Sequence, residues 1–242
     1  MTLAGGIRRA LRALLAPLKV ELVRRRPEEA EKVAGYLQAH GIAQLIDVGA
    51  NEGQYARGVR AAGYGGTIVS FEPLPAAHAR LTAAAAGDPR WTVAPARAIG
   101  ATHDVLRMHV AGNSVSSSLL PMLDAHVASA PGSGIVAHRD VPVMPLDACP
   151  EIDPDAPTFL KIDTQGYEAQ VLAGGPAVVA RAIGVQLELS LASLYEGQAD
   201  YLTLLAGLQR AGFTLWDVFP GFADAASGRL LQVDAVLFRT RP

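Results

Sequence analysis

The run Gln44–Val48 is short and mostly apolar, and it leads straight into a turn carrying Gly49 and Gly53 with a helical pattern behind it. A buried strand that feeds a glycine turn and then a helix has to return to a parallel neighbour, which commits the chain to an open α/β sheet. The rest of the first half keeps that commitment. Thr67–Phe71 reads as the next strand, a helix follows from Pro75 to about Ala86, and Trp91–Ala98 reads as a third strand. Ahead of them, Pro27 with Glu28 and Glu29 opens a helix that closes near Gly41, because proline suits the first helical position and acids suit the positive end.

The second half resumes the alternation. Thr158–Ile162 and Gly184–Leu189 read as strands, and the stretches Glu168–Leu172 and Tyr201–Ala211 as helices. Phe213–Phe219 and Leu230–Phe238 are joined by a loop containing Pro220, Gly221 and Gly228 without helical periodicity, so these two strands are expected to be antiparallel. The middle is less regular. Val105–Val110 alternates like a strand, Gly112–Ser118 is a polar loop, and Val141–Met144 is a strand whose pairing is restricted by two nearby prolines. No repeat or linker divides the chain. The expected organisation is one α/β domain over residues 41–242 behind a helical extension over residues 1–40.

With 242 residues, half of them hydrophobic, the chain can fill a sizeable core, and no run of apolar residues is long enough for a membrane helix. Cys149 is the only cysteine, which excludes an internal disulfide and a cysteine zinc site and points to a reducing, cytoplasmic setting. The net charge of −2 excludes a globally basic nucleic-acid binder, and no nucleic-acid partner is expected. Charge is nonetheless uneven. Residues 8–26 hold seven arginines and lysines against Glu21 alone, and Ile7, Leu11, Leu14, Leu15 and Leu18 share one helical face. This basic amphipathic helix is expected either to pack on its own domain or to make peripheral contact with a membrane surface.

The turn itself reads Asp47-Val48-Gly49-Ala50-Asn51-Glu52-Gly53. Glycine permits close approach of a ligand, and asparagine replaces it best in a left-handed conformation. A dinucleotide fingerprint needs glycine at positions 51 and 54, where this chain has Asn51 and Gln54. An acid at position 47 sits poorly beside a pyrophosphate but suits an ammonium group. Glu72, at the end of the next strand, is placed to accept hydrogen bonds from both hydroxyls of a ribose. Acid, turn and acid without a phosphate fingerprint point to S-adenosylmethionine, which has an amine and a ribose but no phosphate. An NAD(P)-linked oxidoreductase and a catalytically silent scaffold are the alternatives.

Several blocks in order extend the pattern: Ile46-Asp47-Val48-Gly49-Ala50-Asn51, Ser70-Phe71-Glu72-Pro73, Leu160-Lys161-Ile162-Asp163-Thr164-Gln165-Gly166-Tyr167-Glu168, Glu188-Leu189-Ser190, Leu194-Tyr195-Glu196-Gly197-Gln198 and Gly228-Arg229-Leu230-Leu231-Gln232-Val233-Asp234. In these the chain resembles the FkbM-type methyltransferases over Gly41–Arg239. The resemblance implies a class I, Rossmann-like doubly wound fold: seven main strands, the last antiparallel. It also implies methyl transfer from S-adenosylmethionine to an oxygen, often on a sugar, polysaccharide or natural product.

The expected cofactor contacts are Asp47, Gly49, Ala50, Asn51, Gly53, Tyr55, Glu72, Pro73 and Ala98, with Asp47 near the methionine amine. Asp163, opening a helix after a central strand, is the expected base, with the roles of metal ligand or helix cap still open. Glu188, near the end of the next strand, is its expected partner. Two acids alone make a thin metal site, so no metal is assigned. Asn113, Ser116, Ser117 and Tyr195 are expected at a hydroxylated small-molecule or glycan acceptor. His138 is the reserve base, and Cys149 is expected to be inert.

Overall fold

The computed structural model describes residues 28–239, so the basic helix expected before Pro27 lies outside the described residues. The first half holds α1 (Glu29–Ala39), β1 (Gln44–Val48), α2 (Gln54–Ala61), β2 (Thr67–Phe71), α3 (Pro75–Ala85) and β3 (Trp91–Val93). The middle holds β4 (Ala98–Ile99), β5 (Asp104–Ala111), α4 (Asp124–Ser129) and β6 (Ile135–Met144). The second half holds β7 (Thr158–Ile162), α5 (Glu168–Ala173), α6 (Pro176–Arg181), β8 (Gly184–Ser190), α7 (Tyr201–Arg210), β9 (Phe213–Pro220) and β10 (Gln232–Arg239).

Seven strands form one sheet in the order β3-β2-β1-β7-β8-β10-β9. All neighbouring pairs are parallel except those of β10, which runs antiparallel between β8 and β9. This is the expected class I arrangement, with the last strand reversed. β1 is buried along its whole length because helices cover both faces of the sheet. On one face Leu45 packs with Val33 and Leu37 of α1 and Val59 of α2. On the other, Ile46 joins the layer of Val171, Val178 and Leu208. Gln44 stays in this apolar strand because its amide is fully engaged. It donates to Thr158 Oγ1 at 3.0 Å and to the Asp153 carbonyl at 3.1 Å, and it accepts the Asp153 N–H at 2.9 Å.

α1 belongs to this core. Val33, Ala34 and Leu37 are buried, and the Glu28 N–H donates to Glu31 Oε2 at 2.9 Å at the start of the helix. A domain boundary at residue 40 therefore does not describe the packing: the helix inside the expected extension is part of the domain.

The middle of the chain builds what the sequence reading leaves irregular, a second sheet of order β4-β6-β5. The strand expected over Trp91–Ala98 divides in two. Its last tie to β2 is the Ala94 N–H donating to the Ser70 carbonyl, after which Pro95 has no N–H to give and the chain leaves for the second sheet. β6 is longer than the expected Val141–Met144. Pro142 is accommodated because β4 pairs only with Val143 and Met144, leaving that edge of β6 open beside the proline. The small sheet rests on the start of α3 through Leu74, Ala77, Met108, Val141 and Val143.

The strand order reverses between β1 and β7. β1 pairs with β2 on one side and β7 on the other, so the loops beyond their carboxyl ends diverge and open a crevice.

Candidate active site

Beyond β1 the backbone is shaped by three left-handed residues, Gly49 (φ 79°), Asn51 (φ 46°) and Gly53 (φ 81°). Gly49 is indispensable on two counts. Besides its φ, a Cβ there would lie 1.8 Å from the Asp163 carbonyl oxygen. The turn is stitched to both neighbouring strands: the N–H groups of Gly49 and Ala50 donate to the Phe71 carbonyl at 3.1 and 3.0 Å, and the Asp163 N–H donates to the Val48 carbonyl at 3.0 Å. Glu72 then locks the geometry. Its Oε2 accepts the Asn51 N–H at 2.9 Å and its Oε1 accepts the Leu74 N–H at 2.8 Å. Burial pushes Glu72 up to about 7, against the pull of those two backbone donors.

The crevice holds a cavity of about 300 Å³. Gly49, Ala50, Asn51, Tyr55, Glu72, Pro73 and Ala98 line it, as the sequence reading expects of cofactor contacts. Asp47 and Gly53 do not. Gly53 faces inward onto Trp91 and Leu81, where its missing side chain makes room for the indole. Asp47 is fully buried beneath the turn, on the α1–α2 face of the sheet, with Lys161 as its register partner on β7. Lys161 Nζ stands 3.2 Å from Asp47 Oδ1, and the Ser70 hydroxyl reaches the other carboxylate oxygen at 3.5 Å. Asp47 Oδ1 faces Lys161 without a formed hydrogen bond, and its carboxylate does not reach the cavity wall where a ligand amine is expected. Among the described residues two cations line the cavity: Arg97, paired with Glu151, and Lys161, whose Nζ is also 3.4 Å from Asp163 Oδ2. Burial works against its charge, but the carboxylates of Asp47 and Asp163 push its pKa upward.

Asp163 lies at the end of β7 with its side chain 32% exposed, and it lines the cavity. Glu188 is near it, as expected, but behind the wall. Gln165 separates the two, its Nε2 donating to Asp163 Oδ1 at 2.9 Å and to Glu188 Oε2 at 2.6 Å. Gln232 Nε2 donates to the same Glu188 oxygen at 2.6 Å. Burial and then the charge of Asp163 push Glu188 well above the usual carboxylate range. Glu188 is thus a half-buried acid whose Oε2 is taken by two amides and which does not line the cavity.

Of the expected acceptor residues, Ser117 lines the cavity and the others do not. Asn113 and Ser116 close their loop on themselves, through Asn113 Nδ2 to Ser116 Oγ at 3.0 Å and the Ser116 N–H to Asn113 Oδ1 at 3.1 Å. Tyr195 is buried, with its hydroxyl 2.8 Å from Gln165 Oε1 and 3.1 Å from the Ser116 carbonyl. His138 sits on β6 rather than on a loop. It is exposed, edge-on to His109 across the small sheet, away from the cavity. Cys149 is buried with its thiol toward the Pro145 carbonyl, and burial raises its pKa to about 11.

A second polar group, which no single motif in the sequence announces, stands at the opposite wall. Tyr55 donates to Gln186 Oε1 at 2.7 Å, and Gln186 Nε2 donates to Glu29 Oε1 at 3.0 Å and Asp234 Oδ1 at 3.1 Å. All four line the cavity. Burial raises the Glu29 carboxyl and pushes Asp234 up to about 7. The only sequence signal for Gln186 and Asp234 is that they are polar residues inside strands, at positions sharing a face with Lys161.

The residues present fit a ligand with the chemistry of S-adenosylmethionine. The side-chain amide of Asn51 is buried with neither its nitrogen nor its oxygen hydrogen-bonded, although it stands on the wall. Each Glu72 oxygen has taken one backbone donor and keeps a lone pair for a hydroxyl. Among the described residues no group of three or more histidines, cysteines or acids could hold a metal ion, and no helix is long and apolar enough to cross a membrane.

A family model described as the methyltransferase FkbM domain matches residues 47–215. Among solved structures, a TehB-like SAM-dependent methyltransferase from Corynebacterium glutamicum is similar at 12% identity and a TM-score of 0.44, covering 99% of this chain and 100% of that one. TehB from Haemophilus influenzae is similar at 6% identity and a TM-score of 0.47, covering 95% and 66%. The 1,6-didemethyltoxoflavin-N1-methyltransferase of Burkholderia thailandensis, solved with 1,6-didemethyltoxoflavin and S-adenosylhomocysteine, is similar at 15% identity and a TM-score of 0.43, covering 88% and 80%. A search of the curated proteins finds no match.

Proposed function

We propose that this chain, which belongs to the FkbM methyltransferase domain family and is a methyltransferase using S-adenosylmethionine, delivers the methyl group to a hydroxyl oxygen of a sugar, polysaccharide or natural product. Family membership sets aside the oxidoreductase and silent-scaffold readings. The observation that carries the oxygen chemistry is Asp163: a partly exposed carboxylate on the cavity wall, held between Lys161 and Gln165.

When bound, S-adenosylmethionine supplies a methyl group already activated by its positive sulfur. The rest falls to the chain. Glu72 accepts hydrogen bonds from the ribose hydroxyls, while the left-handed turn lets the backbone approach the methionine end. Lys161 pairs with the methionine carboxylate, in place of the amine contact expected of Asp47. Asp163 accepts the hydroxyl proton as the carbon–oxygen bond forms and afterwards releases it to water. Glu29 and Asp234 present oxygen acceptors to the other hydroxyls of the acceptor. Positioning of this kind supplies up to about 7–11 kcal/mol of a barrier in the best cases, and a placed base about 10²–10⁴-fold. The acceptor is a hydroxylated small molecule or glycan, not a nucleic acid. The enzyme works in the cytoplasm, in keeping with its single cysteine.

The test is methyl transfer from isotopically labelled S-adenosylmethionine to a panel of methyl glycosides and oligosaccharides, with the product analysed for an alkali-stable methyl ether. Asp163→Asn keeps the side-chain shape and should lower turnover by about 100-fold or more while changing cofactor affinity by less than about 3-fold. Near-normal turnover in this variant would reduce Asp163 to a structural member of the loop. Label found only on nitrogen would overturn the oxygen reading.

A further inference from the structure

Three left-handed residues other than glycine occur among the described residues: Asn51, Ser114 and Gln165. All three stand on the cavity wall. The first belongs to the cofactor turn, and the second lies in a loop tied by its own side chains. Gln165, at φ 56°, bears a conformation that costs a side-chain-bearing residue energy, and its side chain bonds mainly beyond its own turn. What it gains is long-range. Its amide nitrogen donates to Asp163 Oδ1 (2.9 Å) and Glu188 Oε2 (2.6 Å). Its amide oxygen takes the Tyr195 hydroxyl (2.8 Å), and its backbone carbonyl takes the Ser118 hydroxyl (2.7 Å). The orientation of the amide follows from chemistry: an NH₂ group has two protons for two carboxyl oxygens, and a phenol has one proton for the carbonyl. The partners come from the loop after β7, from β8, from the loop after β5 and from the loop after β8. The backbone of the same loop is held separately by Glu168, whose Oε1 accepts the N–H groups of Thr164 and Gly166, each at 3.0 Å.

We infer that Gln165 is a positioning residue for methyl transfer, which holds the Asp163 carboxylate out into the cavity against the pull of Lys161. The inference rests on Asp163 being the base. Lys161 Nζ is 3.4 Å from Asp163 Oδ2, longer than an ordinary charge-assisted hydrogen bond; Asp47 Oδ1 stands 3.2 Å from the same Nζ, and Gln165 holds Asp163 Oδ1 on the other side. With that tether cut, the carboxylate closes on Lys161, where it forms a tight ion pair and is turned from the acceptor. Tyr195 and Glu188 then have a defined purpose despite lying behind the wall. They fix which way the Gln165 amide faces.

The first experiment needs no acceptor. Crystal structures of the S-adenosylhomocysteine complexes of the unaltered enzyme and Gln165→Met should show the Asp163–Lys161 distance shortening to about 2.8 Å, with a changed Asp163 side-chain torsion. Gln165→Asn tolerates the left-handed backbone and keeps an amide but is one methylene too short to reach both acids. It should give the same displacement, which protects the test against misfolding of the methionine variant. With the acceptor found among the methyl glycosides and oligosaccharides, both variants should lose about 10-fold or more in kcat with KM for S-adenosylmethionine unchanged. Tyr195→Phe should lose less, in the same direction. Combined with Asp163→Asn, Gln165→Met should cost nothing further. An Asp163 that keeps its place in both variants overturns the inference while leaving the base intact. If Asp163→Asn itself turns over normally, the reading of the base fails first, and the role of Gln165 in the reaction fails with it.

Discussion

The two sides of the crevice are built in different ways. On the β1–β2 side the shape is carried by backbone: left-handed Gly49 and Asn51, main-chain N–H groups on the Phe71 carbonyl, and one carboxylate, Glu72, locked by two further N–H groups. On the β7–β8–β10 side it is carried by side chains holding one another. Lys161 bridges Asp47 and Asp163, Gln165 bridges Asp163 and Glu188, and Gln186 bridges Glu29 and Asp234. A backbone cradle suits a constant ligand, which every turnover presents in the same form. A wall of amides and acids can be altered residue by residue without moving a strand, and so suits the partner that differs between enzymes.

The largest effect comes from touching the cradle. Gly49→Ala adds a methyl 1.8 Å from the Asp163 carbonyl oxygen in a left-handed residue. At a strain of roughly 3 kcal/mol or more it should cost about 100-fold or more in cofactor affinity, or prevent folding. Calorimetry with S-adenosylmethionine on soluble protein decides it, and unimpaired binding would break the backbone half of the comparison. Next comes Glu72→Ala. Loss of charge-assisted hydrogen bonds worth about 1.5–3 kcal/mol should weaken cofactor binding roughly 10- to 150-fold, with acceptor KM little changed.

The same carboxyl makes the cradle sensitive to pH. Burial raises Glu72 to about 7, and ribose hydroxyls donate to its ionised form. Binding therefore favours loss of a proton, and the affinity should increase roughly 10-fold from about pH 6 to about pH 8. Glu72→Gln should flatten this dependence, and a slope of the opposite sign would remove Glu72 from the ribose. The smallest effect is expected on the other wall. Gln186→Ala frees Glu29, Asp234 and Tyr55 from their common partner and should raise acceptor KM by about 5-fold while cofactor Kd moves less than about 2-fold. Equal changes in both constants would show that the two walls are not separable.

The same division decides what could be read from the amino-acid sequence. Gly49, Asn51 and Gly53 announce a left-handed turn within seven residues of chain, and Glu72 follows at the end of the next strand, so the cradle is a local message. The direction of Asp47 is not a local message. It faces Lys161, 114 positions later, and only the strand register shows that the two meet inside the sheet. Glu188 and Asp163 meet through Gln165, and a glutamine is a residue type that signals nothing by itself. The small sheet was legible only in part: Val105–Val110 and Val141–Met144 read as strands, but the exposed first half of β6 carries no alternation, and Pro95 hides the point where the chain changes sheets.

The two tryptophans of this chain occupy opposite surroundings. Trp91 is 7% exposed, its indole N–H donates to Ser70 Oγ at 3.0 Å, and its ring lies against Gly53 under the turn, whereas Trp216 is 52% exposed on the far edge strand. The protein therefore has an internal fluorophore beside the cofactor cradle and a reference fluorophore remote from it. A water-soluble quencher removes the emission of Trp216 first, and the blue-shifted light that remains comes from beneath the loop that closes on the ligand. Trp216→Phe leaves that single signal alone, so occupancy of the cradle can be followed optically before any acceptor is known.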